Sequence, residues 1–364
     1  MPRLAVFVSP HGFGHAARAA AVLEALARRV VGLEIDLWTT VPEWFFAGSL
    51  SAPFRYRSCE CDVGLVQSDA VSEDLPATVA ALARLWGDPG RKEELLVRGL
   101  GADLRASGAS AVLCDISPLG LLAARAAGLP SVLIENFTWD WIYGGAVAAE
   151  PRLAAWVERL RPAFAAARLR LQAEPVCAEA VGARRIAPVA RAFKHERERV
   201  RERLGIAPGR ALVLVSLGGI HSPDALRAVV SRARMAAADF VVPGGSEREE
   251  RRGNLVLLPH RTPVYHPGLV AAADAVVGKL GYSTVAEAFA AGTRYAYLPR
   301  PTFRESAVLE SFVAQRLPAV ALTPDELASG AWVERLPELL ARPRPAPGAA
   351  GGAEQAAEAI AELL

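Results

Sequence analysis

The chain carries, in its last third, the stretch Val277-Gly278-Lys279-Leu280-Gly281-Tyr282-Ser283-Thr284-Val285-Ala286-Glu287-Ala288. An apolar run at 271–277 precedes the first glycine and predicts a buried strand. We expect the chain to turn on Gly278 and Gly281 and to begin a helix at Ser283 and Thr284, with Thr284 and Glu287 at capping-box spacing. A glycine turn that leads into a helix exposes backbone N–H groups and positive dipole, so the stretch predicts an anion site.

Two interpretations of this stretch are compatible with its residues. In one, the turn binds the diphosphate of a nucleotide-linked substrate, and Glu287 grips ribose hydroxyls. In the other, it is an ordinary strand-turn-helix corner of an α/β domain, and Glu287 only completes the capping box.

Composition points to a globular protein of two domains. The chain has 364 residues, of which 52% are hydrophobic and 22% charged, and a formal net charge of +2, so bulk electrostatics argue against nucleic-acid binding. No apolar run approaches the ~18–20 residues of a membrane span. The first residues read as a strand rather than a signal peptide, so we expect a cytoplasmic protein, with peripheral membrane contact left open.

Cysteine usage predicts no metal or redox motif. The four cysteines include the pair Cys59 and Cys61, whose spacing is not that of a CxxC motif, and no second pair lies near it. We expect four reduced thiols, no bound metal and no cofactor other than a substrate.

Strands and helices alternate along both halves of the chain, which predicts two doubly wound α/β domains. We place the first domain at 1–188 and the second at 189–345, with a helix at 353–364 that can pack back onto the first. The oligomeric state is expected to be a monomer or a homodimer.

Polar and glycine residues follow the predicted strands in both halves, where ligands bind in open α/β sheets. In the first half we single out His11, Gly12, Gly14, His15, Asp115, Asn136, Trp139 and Asp140. In the second half we single out Gly218, Gly219, His221, Ser222, Lys279, the turn and helix start described above, Arg304 and Glu305. Two such sets predict a cleft between the domains.

His15 is the candidate general base. It lies at the start of the first predicted helix, where the positive dipole favours the neutral imidazole that a base requires. Asp115 ends a neighbouring strand and is placed to orient the His15 ring. The residues alone leave open that His15 only caps its helix and that Asp115 is only an acid at a helix N-terminus.

The other candidates also have structural alternatives. Gly218 and Gly219 allow a phosphate to approach the backbone closely, or simply make a tight turn. Arg304 and Glu305 lie where sugar or phosphate contacts fall, or in a solvated charged loop. Trp139 belongs to the aromatic-rich segment 137–143, which we expect to form a loop after the strand predicted at 131–134. Its ring stacks on a sugar ring or packs between domains.

Several well-known motifs do not occur in the chain. It has no Walker A motif, nucleophile elbow, HExxH pair or kinase motif set. The first loop, His11-Gly12-Phe13-Gly14-His15, is not GxGxxG, and no acidic residue clearly follows the second strand, which argues against a dinucleotide dehydrogenase.

The motifs together resemble the GT-B glycosyltransferases, including the peptidoglycan N-acetylglucosaminyltransferase type. They are most similar to the glycosyltransferase-like N-terminal region of L-arabinokinases. Four segments carry that likeness in order along the chain: His11 to Arg18, Asp62 to Ala70, Asn136 to Tyr143, and Gly278 to Thr284. The sugar-kinase half of arabinokinases has no counterpart here, so the resemblance does not imply kinase activity.

The resemblance implies roles for individual residues. Glu287 should bind the donor ribose and Gly281 to Thr284 the diphosphate. Gly218 to Ser222 should flank the donor phosphates, and His15 should be the base. Arg304 and Glu305 stand where many family members carry Asp-Gln or Gln-Gln, so the donor sugar is left open.

The sequence therefore predicts an inverting, metal-independent glycosyltransferase that uses a nucleotide-diphosphate sugar, with UDP as the expected carrier. Two alternatives stay open: an enzyme like the UDP-sugar 2-epimerases, which share the fold, and a non-catalytic protein that binds sugar nucleotides.

Overall fold

In this computed structural model, residues 1–68, 72–87, 91–216, 232 and 237–364 are described. The first half of the chain forms a seven-stranded sheet of order β3-β2-β1-β4-β5-β6-β7, in which every neighbouring pair is parallel. Its strands are β1 Arg3–Val8, β2 Glu34–Thr39, β3 Phe54–Ser58, β4 Ala111–Asp115, β5 Ser131–Glu135, β6 Leu169–Ala173 and β7 Arg184–Ile186.

The second half forms another seven-stranded sheet, of order β10-β11-β9-β8-β12-β13-β14. Only β10 runs antiparallel to its neighbour among these pairs. The strands are β8 Ala211–Ser216, β9 Ala238–Pro243, β10 Glu250–Arg252, β11 Leu255–Leu258, β12 Ala275–Lys279, β13 Arg294–Leu298 and β14 Ala319–Ala321. In both sheets the order reverses between two central strands, β1 with β4 and β8 with β12, where α/β sheets bind ligands.

Helices connect the strands and cover the sheets. In the first half these are α1 Phe13–Arg29, α2 Glu43–Ser49, α3 Leu75–Trp86, α4 Arg91–Ser107, α5 Pro118–Ala127, α6 Trp139–Ala146 and α7 Leu153–Ala165. In the second half the described helices are α8 Arg197–Arg203, α9 His266–Ala272, α10 Tyr282–Ala291, α11 Ser306–Arg316, α12 Pro324–Ser329, α13 Leu336–Ala341 and α14 Gly352–Ala361. None of the described helices is long and apolar enough to cross a membrane.

Burial explains why the central strands β4 and β5 are mostly apolar in sequence. Every residue of β4 and β5 is buried, because helices pack on both faces of the sheet. The predicted fold class, two doubly wound α/β domains, is confirmed.

The chain crosses between the two sheets twice, and the crossings touch. The first follows β7, and the second leads from α13 to α14, which packs against α1 of the first domain. Val189 and Gly351 form an isolated antiparallel bridge between them. The Ala187 N–H donates to the Gln355 side chain at 2.8 Å, and the Gly352 N–H donates to the Pro188 carbonyl at 3.3 Å.

Three local expectations were wrong. Gly278 belongs to β12 rather than to a turn, and a Cβ there would collide with the Ser216 carbonyl of β8. Helix α10 begins at Tyr282 with Gly281 as its N-cap, so Ser283 and Thr284 lie inside the first turn. The aromatic segment after β5, expected as a loop, is largely helix α6.

Candidate functional site

A cleft of about 790 Å³ separates the two domains at the carboxyl ends of their central strands. This volume falls in the range of small-molecule binding sites. Many of the predicted site residues line it: His11, Gly12, Gly14, His15, Asn136, Lys279, Gly281, Tyr282, Ser283, Thr284, Glu287 and Glu305. The cleft is therefore where the chemistry of this chain is to be sought.

His15 lies in the first turn of α1, directly behind the loop that follows β1. Its Nδ1 is 3.0 Å from Asp115 Oδ1, at the end of β4. Burial would raise the pKa of Asp115, but Arg18 and His15 lower it below its ordinary value. Since the ionised carboxylate can only accept, His15 Nδ1 carries the ring proton, and Nε2 is left as the acceptor. This is the arrangement of a base with an orienting carboxylate.

Arg18, one helical turn after His15, lies beneath this pair. Its Nε and Nη2 donate to the two oxygens of Asp115 at 2.9 and 2.7 Å, and its Nη1 donates to Asn136 Oδ1 at 2.6 Å. Asn136 Nδ2 in turn donates to Glu305 Oε1 of the second domain at 2.6 Å. The base is thus connected to the opposite wall of the cleft by a buried polar network.

The N-terminus of α10 faces the first loop across the cleft. A Cβ at Gly14 would lie 3.6 Å from Ser283 Oγ. No side chain in the described part of the chain caps α10, so the backbone N–H groups of its first turn are free to bind an anion. Gly12 in this loop has a φ of 72°, a conformation that glycine adopts most readily.

Basic side chains surround the deep end of the cleft. Burial, reinforced by the charge of Arg300, lowers the pKa of Lys279 to about 8. Burial, with His15, Arg300 and Lys279, holds the pKa of His11 well below its ordinary value. Nothing in the described residues pairs with the Lys279 amine, whereas Arg300 donates to Glu73 at 2.9 Å. The region therefore favours an anionic ligand.

Glu287 does not complete a capping box, which corrects that expectation. Its carboxylate is buried, with Oε1 accepting from Arg191 Nε at 2.8 Å and Oε2 lying 3.3 Å from His266 Nδ1. Burial alone would raise the pKa of Glu287, but Arg191 and His266 lower it by more than burial raises it. The pKa of Glu287 is therefore below its ordinary value. An ionised carboxylate on the cleft wall can accept hydroxyl groups in addition to these partners.

Tyr282 has a structural role as well as a place on the cleft wall. Its hydroxyl donates to the Glu174 carbonyl at 2.9 Å and accepts from the Val189 N–H at 3.2 Å. Its ring lies 5.1 Å from the guanidinium carbon of Arg18. Tyr282 thereby fixes the start of α10 against the first domain.

An aromatic wall, formed by Phe13, Trp44, Phe45 and His260, closes another side of the cleft. The rings of Phe13 and Phe45 stack with centroids 5.0 Å apart, and His260 lies 5.6 Å from Phe13 and 5.5 Å from Trp44. Both domains contribute to this wall, which offers apolar faces for a planar group.

Some predicted site residues lie elsewhere. Trp139 is fully buried and donates from Nε1 to Asp62, and Asp140 lies 3.9 Å from Arg161 on α7. Arg304 stacks over Trp141 and donates to its carbonyl at 2.6 Å. None of these three is among the residues that line the cleft, and their contact with a ligand stays a prediction. Gly218, Gly219, His221 and Ser222 lie outside the described residues.

Other site residues were not predicted. Arg18 could have been found, because it follows His15 by three residues and so shares its helix face. Arg191 in the crossing after β7 and Glu73 before α3 reach the site only through tertiary packing, and no local pattern in the sequence marks them.

The chain is similar to known proteins at two levels. It is 28% identical over 365 residues to the L-arabinokinase of Arabidopsis thaliana, and this covers 98% of the chain. It spans about a third of the length of that relative, 34%. No protein-family model matches the chain.

Solved structures extend the comparison. UGT89C1 of Arabidopsis thaliana, complexed with UDP, matches with a TM-score of 0.60 and 18% identity over 100% of both chains. MurG of Acinetobacter baumannii matches with a TM-score of 0.54 and 16% identity over 100% of this chain and 99% of its own. At these identities the likeness establishes the fold, which is GT-B, and the predicted resemblance is confirmed at that level.

Proposed function

We propose that this chain is a glycosyltransferase that moves a sugar from a nucleotide-diphosphate sugar, with UDP as the expected carrier, to an acceptor hydroxyl. One observation carries the proposal: an oriented histidine base, His15, faces an uncapped helix N-terminus across an interdomain cleft. The similarity to L-arabinokinase and to GT-B structures, one of them complexed with UDP, supports it.

The donor would lie along the second-domain wall. Its diphosphate meets the free N–H groups of α10 and the amine of Lys279, which supply positive charge where negative charge develops as the sugar leaves. Glu287 accepts hydroxyls of the ribose. The aromatic wall receives the planar base.

The reaction then needs one proton transfer and one displacement. His15 Nε2 takes the proton of the acceptor hydroxyl while the hydroxyl oxygen forms a bond to the anomeric carbon of the donor sugar. The bond from that carbon to the phosphate oxygen breaks, and the diphosphate leaves with the electron pair. Attack from the face opposite the leaving group inverts the anomeric centre, and helix and lysine stabilise the leaving group without a metal.

The test begins with a thermal-shift screen of nucleotide diphosphates and their sugars, because a ligand that binds the folded state raises its melting temperature. With the best donor and a panel of acceptors, release of the nucleotide is then measured. His15→Ala should lower the transfer rate at least ~100-fold, the usual contribution of a general base, while nucleotide binding persists.

The matched control is His195→Ala, since His195 is exposed and lies before α8. It should transfer at the wild-type rate. Transfer by His15→Ala at the wild-type rate would exclude His15 as the base, and EDTA-sensitive transfer would contradict the metal-independent mechanism.

A second function is favoured by contacts that close one side of the cleft. Glu73 of the first domain accepts from Arg300 at 2.9 Å and from Thr302 at 2.5 Å, and Arg304 binds the Trp141 carbonyl. A closed side suits a reaction without a second substrate, as in UDP-sugar 2-epimerases. Incubation with UDP-N-acetylglucosamine alone distinguishes the two, because an epimerase converts it without acceptor. Binding without any conversion would identify a non-catalytic protein.

A further inference from the structure

We propose that Arg18 is a positioning residue for the His15–Asp115 pair, which holds the carboxylate in place and offsets its charge so that His15 stays a neutral base. This inference rests on the proposed function, because it concerns the base of that reaction.

The geometry of Arg18 is the first argument. Its guanidinium binds both oxygens of Asp115 and, with its third nitrogen, Asn136. This forked contact fixes the plane of the carboxylate, and Oδ1 then faces His15 Nδ1 at 3.0 Å. Arg18 borders the cleft but is only 1% exposed, and its guanidinium hydrogen bonds go to the protein groups of Asp115 and Asn136.

Charge is the second argument. A lone buried carboxylate beside an imidazole strongly favours the protonated ring, which cannot accept a proton. A permanent positive charge on the other edge of Asp115 offsets that effect. Burial would lower the pKa of Arg18, but Asp115 raises it above its ordinary value, so the guanidinium stays charged.

The other charged or titratable groups around His15 do not replace Arg18. The His11 ring centroid is 6.5 Å from that of His15, and burial, with neighbouring positive charges, keeps the His11 pKa low. Glu305 approaches from the second domain, and burial raises its pKa despite the Asn136 hydrogen bond. The positive charges of Lys279 and Arg300 contribute to the low pKa of His11.

Two variants separate the charge of Arg18 from its geometry. Arg18→Gln removes the charge, and the midpoint of the His15 ring titration, followed by NMR, should rise by about one pH unit. The acid limb of the pH–rate profile should move by the same amount. Arg18→Lys keeps the charge but cannot make the fork, so the midpoint should stay and kcat should fall about tenfold, with the donor KM unchanged.

The His15 resonance is assigned with His15→Gln, and Arg28→Gln, an exposed change on the same helix, serves as the control. If Arg18→Gln leaves the midpoint unchanged, or Arg18→Lys keeps the wild-type kcat, the inference is overturned. Should Arg18→Gln not fold, Arg18→Lys alone decides. The NMR titration needs no substrate, so it tests the role of Arg18 even if the wild-type protein transfers no sugar. Absence of sugar transfer by the wild-type protein would refute the proposed function but not the role of Arg18.

Discussion

At the scale of single residues, Asp62 shows how far burial changes a side chain that the sequence presents as an ordinary acid. It is almost completely buried, and its oxygens accept from the Val63 N–H at 2.8 Å and from Trp139 Nε1. Burial raises the pKa of Asp62 to about 7, although these hydrogen bonds oppose the shift. The ring of Trp139 touches those of both His11 and His15, so Asp62 supports the floor of the site.

The raised pKa of Asp62 predicts a pH-dependent stability. Between about pH 4 and 7 the Asp62 carboxyl group is ionised in the unfolded chain but protonated in the folded protein. The free energy of unfolding therefore falls as pH rises. At one pKa unit per ~1.4 kcal/mol, the loss from Asp62 is on the order of 4 kcal/mol and is complete above pH 7. Asp62→Asn should remove it.

Urea denaturation of wild type and Asp62→Asn from pH 4.5 to 8 measures this effect. The asparagine has one hydrogen-bond acceptor fewer, and this lowers the free energy of unfolding by the same amount at every pH. The readout is therefore how the difference in free energy of unfolding between the two proteins changes with pH. If the stability of Asp62→Asn relative to wild type does not increase as pH rises, the raised pKa of Asp62 is contradicted.

At the scale of elements, the sequence predicts that strand β12 and helix α10 exist but misplaces the residues at which the strand ends and the helix begins. Apolar content identifies the buried strand, and the glycine-rich turn identifies the helix start. Capping-box spacing alone could not reveal that α10 begins earlier, at Tyr282, because Tyr282 is held by Glu174 and Val189, which are distant in the chain. Tertiary contacts here override a local signal.

Glu287 on α10 gives a prediction for ribose recognition. Glu287→Gln should lower the affinity for the nucleotide diphosphate found by the thermal-shift screen by roughly tenfold or more, since hydrogen bonds to a charged acceptor contribute ~1.5–3 kcal/mol. The 2′,3′-dideoxy form of the same nucleotide should bind both proteins equally. Calorimetric titration of both proteins with both nucleotides measures the four affinities, and comparing the two nucleotides removes any general effect of the substitution on the protein. If Glu287→Gln lowers the affinity for both nucleotides equally, the ribose lies elsewhere.

The same contrast separates the rest of the site into predictable and unpredictable parts. His11, His15, Asp115 and Asn136 end or follow strands, and the rule that ligands gather at the carboxyl edge of the sheet finds them. Trp139 and Arg304 obey the same rule but turn away, because Trp139 packs beneath the histidines and Arg304 stacks on Trp141. Side-chain direction is decided by packing, which the sequence does not display.

At the scale of the whole molecule, α14 belongs to the second half of the chain but packs on α1, the helix that carries His15 and Arg18. Ala356 and Ile360 of α14 are fully buried. Helix α14 therefore supports the first domain and, through α1, the position of the base.

Ala356→Asp should destabilise the protein by at least about 3 kcal/mol, because it buries an unpaired charge between α14 and α1. Glu358→Ala on the exposed face of the same helix should change stability by less than ~0.5 kcal/mol. Chemical denaturation measures both. Similar stabilities for the two variants would mean that α14 does not hold α1.

The bridge between Val189 and Gly351 gives the two domains a mechanical property. The two crossings meet there, so they act as one pivot instead of two independent tethers. Tyr282 touches this pivot through Val189. The start of α10 is therefore hydrogen-bonded directly to the place where both connections between the domains run. The turn at 300–304 is held to the first domain by separate contacts, from Arg300 and Thr302 to Glu73 and from Arg304 to the Trp141 carbonyl. Loss of those separate contacts would leave the hydrogen bond between Tyr282 and Val189 in place.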